Sequence, residues 1–406
     1  MYLPKIMLAS ASIQLVMCLW YTLFLRKAGA GDESHFIAAL EMIRTQGWES
    51  ATRFGISIPY LLLALPLQLF IPSYLALRIV NLLLLFIFIW YVYNKIRIQH
   101  TFTLSILISY IATSSFYLFG TNDALLSITL GIFFTETYFL IRDRFFANPT
   151  WALVSLCVAF FTRELFLIYL PMVLLTLFIA WKHRALTRKS LYITGVFSLF
   201  MILLNGYALK HNQRLSYDNK IAPPGLSWTQ LTYLSQLEAN AGRRPEGQYV
   251  SWDELRTYLD THGEGSLPNS IGESIFFDLR FTLSESVKNM KSSIISLIRQ
   301  LGLLLIFPFL TFFMFTYKHD RIRQGYLIAL LWGILCIFCL IIIATVELRW
   351  LAAIVLTYLT TSYDYTNESY VAEERRPLFS AFVLCMQLVF VFLSVFGVAT
   401  YSKLIL

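Results

Sequence analysis

Two adjacent carboxylates, Asp32 and Glu33, follow Gly31 just beyond the first long apolar run of the chain. Acidic side chains beside a membrane surface are costly to keep without a partner or a task. A carboxylate there can act as general base toward a hydroxyl or amine held in hydrogen-bond reach. Its neighbour can orient it, bind the same acceptor or hold a divalent metal. His35 adds a third donor, so Asp32 with His35 is a candidate for Mg or Mn. The same residues also suit a helix start, with Asp32 as N-cap of an amphipathic stretch over 34–46 and Glu33 in its first turn. Asn122-Asp123 carries the same double reading, as a cap of the following apolar run or as substrate-binding groups. Glu136 sits inside that run, near its expected cytoplasmic end, where a charged group is often functional or reaches to the interface.

These residues are positioned by membrane helices. The 406 residues are 57% hydrophobic and only 14% charged, with mean hydropathy +0.64; a soluble domain carries about 25% charged residues. Apolar runs fall at about 5–25, 75–93, 101–119, 122–141, 150–162, 165–181, 190–209, 300–317, 325–345, 350–362 and 378–402, with those in 150–181 short and 350–362 marginal, so about ten or eleven crossings are expected. The run over 150–181 has Thr162-Arg163-Glu164 at its centre and reads as a broken pair or re-entrant turn. The first run lacks a small-residue cleavage site at its end and is expected to be a membrane helix. The five cysteines lie in apolar runs and are expected to be buried small hydrophobes, with no disulfide or zinc spacing.

The net charge of +8 does not point to nucleic acid, because the basic residues stand in short clusters between apolar runs. Lys95 and Arg97, Arg142 and Arg144, Lys182, Arg184, Arg188 and Lys189, Lys318, Arg321 and Arg323, and Arg375 and Arg376 alternate consistently when all are placed in the cytoplasm. Arg26 and Lys27 alone fall on the other side. This orientation puts two segments outside. Residues 26–74 hold the acidic pair, the amphipathic stretch and an apolar run over 60–71 that is too short to span and reads as interfacial. Residues 210–298 form the one long polar stretch, with helix-like pieces at about 227–240 and 251–261. The expected division is 1–209, 210–298 and 299–406. Asn367-Glu368-Ser369 has glycosylation-acceptor spacing, but on the cytoplasmic side.

The order of motifs resembles that of GT-C fold glycosyltransferases, in particular the group of protein O-mannosyltransferases and bacterial aminoarabinose transferases. After Asp32-Glu33 come the amphipathic stretch, Ile58-Pro59-Tyr60-Leu61-Leu62-Leu63-Ala64-Leu65, and Leu69 to Arg78 entering the second run. Gly120-Thr121-Asn122-Asp123-Ala124-Leu125-Leu126, Phe161-Thr162-Arg163-Glu164 and Val346-Glu347-Leu348-Arg349-Trp350 follow in the family's order. Ser57-Ile58-Pro59 departs from it, since the family has a histidine and two prolines there. The likeness covers residues 1–210 and, loosely, 325–362.

The resemblance implies an all-α, GT-C-like membrane bundle with interfacial helices in the first outer loop. It implies a transferase moving a sugar from a polyprenyl-phosphate donor to a lipid, glycan or protein acceptor on the non-cytoplasmic side. Asp32 would be the base and Glu33 its helper. Arg78, Arg163, Arg349 and Lys210 would bind the donor phosphate, since arginine matches phosphate with parallel bonds and cations stabilise the charge growing on the leaving group. His35, Asp123, Glu164, His211 and Glu347 would bind substrate. Each arginine also has a plainer reading: Arg78 snorkels, Arg163 pairs with Glu164, Arg349 with Glu347. A bacterial inner membrane is the expected location, with the endoplasmic reticulum as alternative. A lipid-linked oligosaccharide flippase or an O-antigen-type polymerase is the competing reading; a flippase would show internal repeats, and a polymerase would place its key residues in 210–298.

Overall fold

A computed structural model describes residues 3–96, 101–142, 147–183, 186–217, 222–314, 318–341, 346–362, 371 and 373–405. Arg97, Arg144, Arg184 and the Asn367–Ser369 sequon lie outside these. The described chain is all-α. Its eighteen α-helices are α1 (Leu3–Trp20), α2 (Glu33–Phe54), α3 (Ile58–Gln68), α4 (Ser73–Ile96), α5 (Thr101–Thr113), α6 (Asp123–Arg142), α7 (Pro149–Thr162), α8 (Phe166–Lys182), α9 (Arg188–Leu204), α10 (Gly206–Asn212), α11 (Trp228–Asn240), α12 (Trp252–His262), α13 (Ile271–Phe277), α14 (Leu279–Leu301), α15 (Phe307–Met314), α16 (Lys318–Ile341), α17 (Ala352–Thr361) and α18 (Arg376–Ile405).

Among the described residues, five stretches are long and apolar enough to cross a membrane: Lys5–Leu25, Ser73–Lys95, Asp123–Arg142, Arg321–Ile341 and Glu373–Leu393. A sixth appears if α9 and α10, bent by 53°, are taken as one span. The chain is therefore a multi-pass membrane protein, with five or six candidate spans in place of the ten or eleven expected. The difference has a geometric cause. At 1.5 Å per residue a helix needs about 20 residues to cross the hydrocarbon, and α5, α7, α8 and α17 stop at 13, 14, 17 and 10 residues. The expected span at 300–317 gives only the eight residues of α15 among the described ones.

The helix ends follow local chemistry. Asn148 caps α7, accepting from the N–H groups of Thr150 and Trp151, with Pro149 in the first turn. Thr187 with Ser190, Ser227 with Gln230 and Ser251 with Glu254 close capping boxes on α9, α11 and α12. Extended backbone at Arg163 separates α7 from α8, which gives the expected break. The stretch over 34–46 extends through Phe54, broken at Gly47, whose positive φ of 85° suits glycine.

The chain divides into two compact units. The first is Met1–Asn219, Gln300–Leu330 and Arg349–Leu406. At its centre α6 is buried along its whole span, packed by α4, α7, α8 and α17. Gly131 lets α17 approach closely: a Cβ there would stand 3.3 Å from Leu356 Cβ and 3.4 Å from the Ala353 carbonyl. Near the far end of α6, buried Glu136 receives Lys95 Nζ and the Tyr91 hydroxyl at 2.8 Å and Asn148 N–H at 2.6 Å. It ties α4 and the start of α7 to α6. The short apolar helix α3 buries Ile58, Tyr60, Leu61 and Ala64 against Phe36 and Leu40 of α2 and Leu77 and Val80 of α4.

The second unit is Lys220–Arg299 with Leu331–Leu348. Its core is Leu231, Tyr233, Leu234, Val250, Leu255, Leu259 and Leu267, drawn from α11, α12 and their connections. Of the five cysteines, Cys18, Cys157 and Cys339 are buried, whereas Cys336 and Cys385 are exposed. An apolar face turned toward lipid has no need of protein cover, so an apolar run does not imply a buried thiol.

Candidate functional site

The acidic pair splits into two environments. Glu33 opens α2 with its carboxylate buried. Arg78 of α4 reaches it with two parallel bonds, Nε to Oε1 at 2.7 Å and Nη2 to Oε2 at 2.8 Å. Gly29 N–H donates to Oε2 at 2.9 Å and Gly120 N–H to Oε1 at 3.2 Å. Arg26 Nη1 stands 3.6 Å away, with its guanidinium 3.6 Å from the centre of the Phe119 ring. Burial alone would raise the Glu33 carboxyl, but the Arg78 bonds and charge, the Arg26 charge and the Gly29 N–H outweigh it and hold it below the ordinary carboxylate range.

Backbone shape makes this node possible. Gly29 and Gly31 take φ of +71° and +67°, turning the loop so that the Gly29 N–H faces the carboxylate. At Gly120 a Cβ would lie 2.9 Å from both Glu33 Oε1 and Leu77 Cβ, so only glycine admits the carboxylate there.

Arg78 is used up inside the protein. It is 1% exposed, and its remaining bonds go to the carbonyls of Thr22 at 2.6 Å, Arg26 at 3.2 Å and Lys27 at 3.1 Å. With both nitrogen edges held by the chain, it ties α1 and the first loop to α4. The sequence suggested a snorkelling or phosphate-binding arginine; the geometry makes it a brace.

Asp32, one residue earlier, points elsewhere. Its side chain makes no N-cap bond to α2. Asp32 Oδ2 lies 2.8 Å from Arg349 Nη1, and that nitrogen stands 3.1 Å from Asp123 Oδ2. Asp123 Oδ1 pairs with Arg163 Nη1, and Oδ2 accepts from Thr121 Oγ1 at 3.1 Å. The result is one chain of alternating charge, Asp32–Arg349–Asp123–Arg163. It is assembled from the loop before α2, the start of α6, the α7–α8 turn and the 3₁₀ turn Leu348–Leu351. Asp123 is buried, while Asp32, Arg163 and Arg349 keep 24%, 19% and 20% of their side-chain surface exposed. The arrangement has a closed inner carboxylate and an open rim of one acid and two guanidiniums.

Neighbouring groups fix the rim. The Tyr169 hydroxyl donates to the Trp350 carbonyl, beside Arg349. Asn122 Nδ2 donates to the Thr162 carbonyl at 3.1 Å, and Ser57 Oγ to the same carbonyl at 2.7 Å, beside Arg163. Asn81 Nδ2 holds the carbonyls of Phe119 and Thr121. The hydroxyls of Tyr110, Ser114 and Tyr117 are buried together, with Tyr110 bonded to the other two.

Of the expected site residues, the structure brings Asp32, Asp123, Arg163 and Arg349 together, and Glu33 with Arg78. His35, Glu164, Lys210 and His211 are exposed and make no hydrogen bond or ion pair with the cluster among the described residues. His211 stacks on Tyr207, with ring centres 4.4 Å apart. Glu347 falls in the second unit and is partly buried. Arg163 pairs with Asp123 and not with adjacent Glu164, and Arg349 pairs with Asp32 and Asp123 among the described residues. The expected divalent ion does not fit this donor set. Among the described residues no three His, Cys, Asp or Glu side chains converge, and the Arg349 guanidinium already stands between the carboxylates of Asp32 and Asp123.

Arg26, Gly120 and Thr121 carry parts of the site that the sequence reading did not assign. Arg26 had a signal, as a basic residue on the unexpected side of the first span. Comparison with protein-family models, with curated proteins and with solved structures found no match to this chain.

Proposed function

We propose that the chain is a membrane glycosyltransferase that moves a sugar from a polyprenyl-phosphate donor to an acceptor hydroxyl or amine on the non-cytoplasmic side. The observation that supports this most is the open carboxylate of Asp32 set against Arg349 and Arg163, both partly exposed and both anchored on buried Asp123. In this reading Asp32 takes the acceptor proton as the acceptor atom bonds to the sugar's anomeric carbon. The bond from that carbon to the phosphate oxygen breaks, and the electron pair leaves on the lipid phosphate. Arg349 and Arg163 take up the negative charge that grows there. Asp123 is a positioning residue that keeps both guanidiniums aimed. Glu33 and Arg78 brace the loop bearing Asp32, so the phosphate role falls to Arg163 and Arg349.

The test is Asp32→Asn in a deletion strain, with glycans read by mass spectrometry and retention of polyprenyl phosphate by the purified chain measured in parallel. Loss of a general base lowers the rate by about 10²–10⁴-fold, so the sugar product should vanish while lipid phosphate is still retained. Unchanged glycans with Asp32→Asn would sink the reading. Loss of transport of an intact lipid-linked glycan, without loss of a transfer product, would favour a flippase.

A further inference from the structure

The second unit contains a helix whose two faces are reversed. Along α14, Thr282, Glu285, Asn289 and Ser293 form one stripe at helical spacing, and all four are buried. Thr282 Oγ1 bonds the Ser274 carbonyl at 3.2 Å, and Glu285 Oε1 accepts from Asn240 at 2.7 Å and Lys288 at 3.0 Å. The opposite side exposes large aliphatic groups, Leu283 at 60%, Val287 at 70%, Ile295 and Ile298, between Ser284, Lys288, Lys291 and Ser292. A helix beside water turns its apolar stripe inward. Polar groups inside and aliphatic groups outside fit a hydrocarbon surrounding instead.

A groove of about 730 Å³ runs along this stripe. One wall is Leu283, Val287, Met290, Ile294 and Ile295 of α14; the other is Cys336, Cys339 and Leu340. These last three belong to the candidate span Arg321–Ile341, so the groove opens along a membrane-crossing helix. From Leu283 to Ile295 the stripe is about 18 Å long at 1.5 Å per residue. That is close to the ~15 Å depth of one leaflet's hydrocarbon. Lys291 is the one charged residue on the lining, is exposed, and has no ion-pair partner among the described residues. Its aliphatic stem can lie along the groove while the ammonium reaches outward.

We propose that this groove is a binding site for a bilayer phospholipid, with an acyl chain between α14 and the end of α16 and the phosphate on Lys291. From Lys291 to Leu283 the stripe offers a tail about 12 Å at 1.5 Å per residue, within the depth of one leaflet's hydrocarbon, which favours an acyl chain over a longer isoprenoid. The site is independent of the sugar-transfer reading, because it uses no residue of the Asp32 cluster.

Native mass spectrometry of the full chain, delipidated in detergent and titrated with phosphatidylglycerol, tests it. The wild-type protein should retain one lipid. Val287→Trp fills the groove and should raise the concentration needed by about tenfold or more, as expected for losing an apolar chain's burial. Lys291→Glu, on an exposed position that leaves packing intact, should weaken retention by about fivefold or more. Val196→Trp on α9, another exposed apolar position, should leave it unchanged. Equal retention by the wild type and Lys291→Glu overturns the site whether or not Val287→Trp folds. Equal loss with Val196→Trp overturns it as ordinary lipid contact. Displacement of the phospholipid by polyprenyl phosphate at matching concentration overturns the assignment of the occupant.

Discussion

Arg349 Nη1 stands 2.8 Å from Asp32 Oδ2 and 3.1 Å from Asp123 Oδ2. One guanidinium nitrogen thus joins a partly exposed carboxylate from the loop before α2 to a buried one at the head of α6, 226 residues from Arg349 along the chain. A lysine could supply the charge but not the planar, five-donor geometry of the guanidinium.

Arg349→Gln should therefore lower sugar transfer by about 10²–10³-fold, the usual cost of removing one donor to a developing anion. Arg349→Lys should recover only part of it. The measurement is product formation in membranes with matched protein levels. A fully active Arg349→Gln chain would remove Arg349 from the leaving-group site.

Gly120 and Glu33 give a prediction about stability. A methyl group at residue 120 would stand 2.9 Å from Glu33 Oε1 and from Leu77 Cβ. Glu33 is held by bonds on both oxygens, and Leu77 is buried, so neither has room to yield. Gly120→Ala should lower stability by about 1–3 kcal/mol, as overpacking does, and move Glu33 off Arg78. Thermal unfolding in detergent reads the first effect. An unchanged midpoint would show that the carboxylate can shift without cost.

The buried pair also sets a pH dependence. Glu33's folded value lies below its ordinary one, so the unfolded chain binds the proton more tightly. The stability this group contributes is fully present above the ordinary carboxylate range and is lost as pH falls through the lower folded value. Unfolding midpoints measured from neutral to acid pH should fall in that window for the wild type, and more gently for Glu33→Gln. Glu33→Ala, which strands buried Arg78, should cost about 3–5 kcal/mol at neutral pH.

How much of this was legible follows from what kind of signal each feature leaves. The apolar runs marked membrane helices, but run length did not separate a crossing helix from a short buried one. Pro149–Thr162 and Ala352–Thr361 are as apolar as the candidate spans, yet have only 14 and 10 residues. Asp32, Asp123, Arg163 and Arg349 were each conspicuous as charges at the ends of apolar runs. Their pairing was not, because it joins segments distant in sequence, and adjacent acids such as Glu164 offered a false local partner. Asp32 and Glu33 looked like one functional unit. The helix start turns successive side chains about 100° apart, which sends one carboxylate to the rim and the other into Arg78. The inverted faces of α14 were written in the period of its residues, but which stripe is buried depends on Asn240 and Ser274, and no local pattern shows that.

The last prediction concerns coupling within the cluster. Arg163 and Arg349 do not share a segment, but both bond to Asp123, one through each carboxylate oxygen. If Asp123 positions them together, removing either leaves a buried carboxylate with one guanidinium and frees the other to shift. A cycle of Arg163→Gln, Arg349→Gln and the double variant should then be non-additive in transfer rate, by about 0.5–3 kcal/mol, with the double variant less impaired than the sum of the singles. Asp123→Asn should remove that coupling, because the amide keeps the shape but not the charge that holds both arginines. Strict additivity in the Asp123 background would mean that the two arginines act separately on the donor phosphate, and that Asp123 only anchors α6.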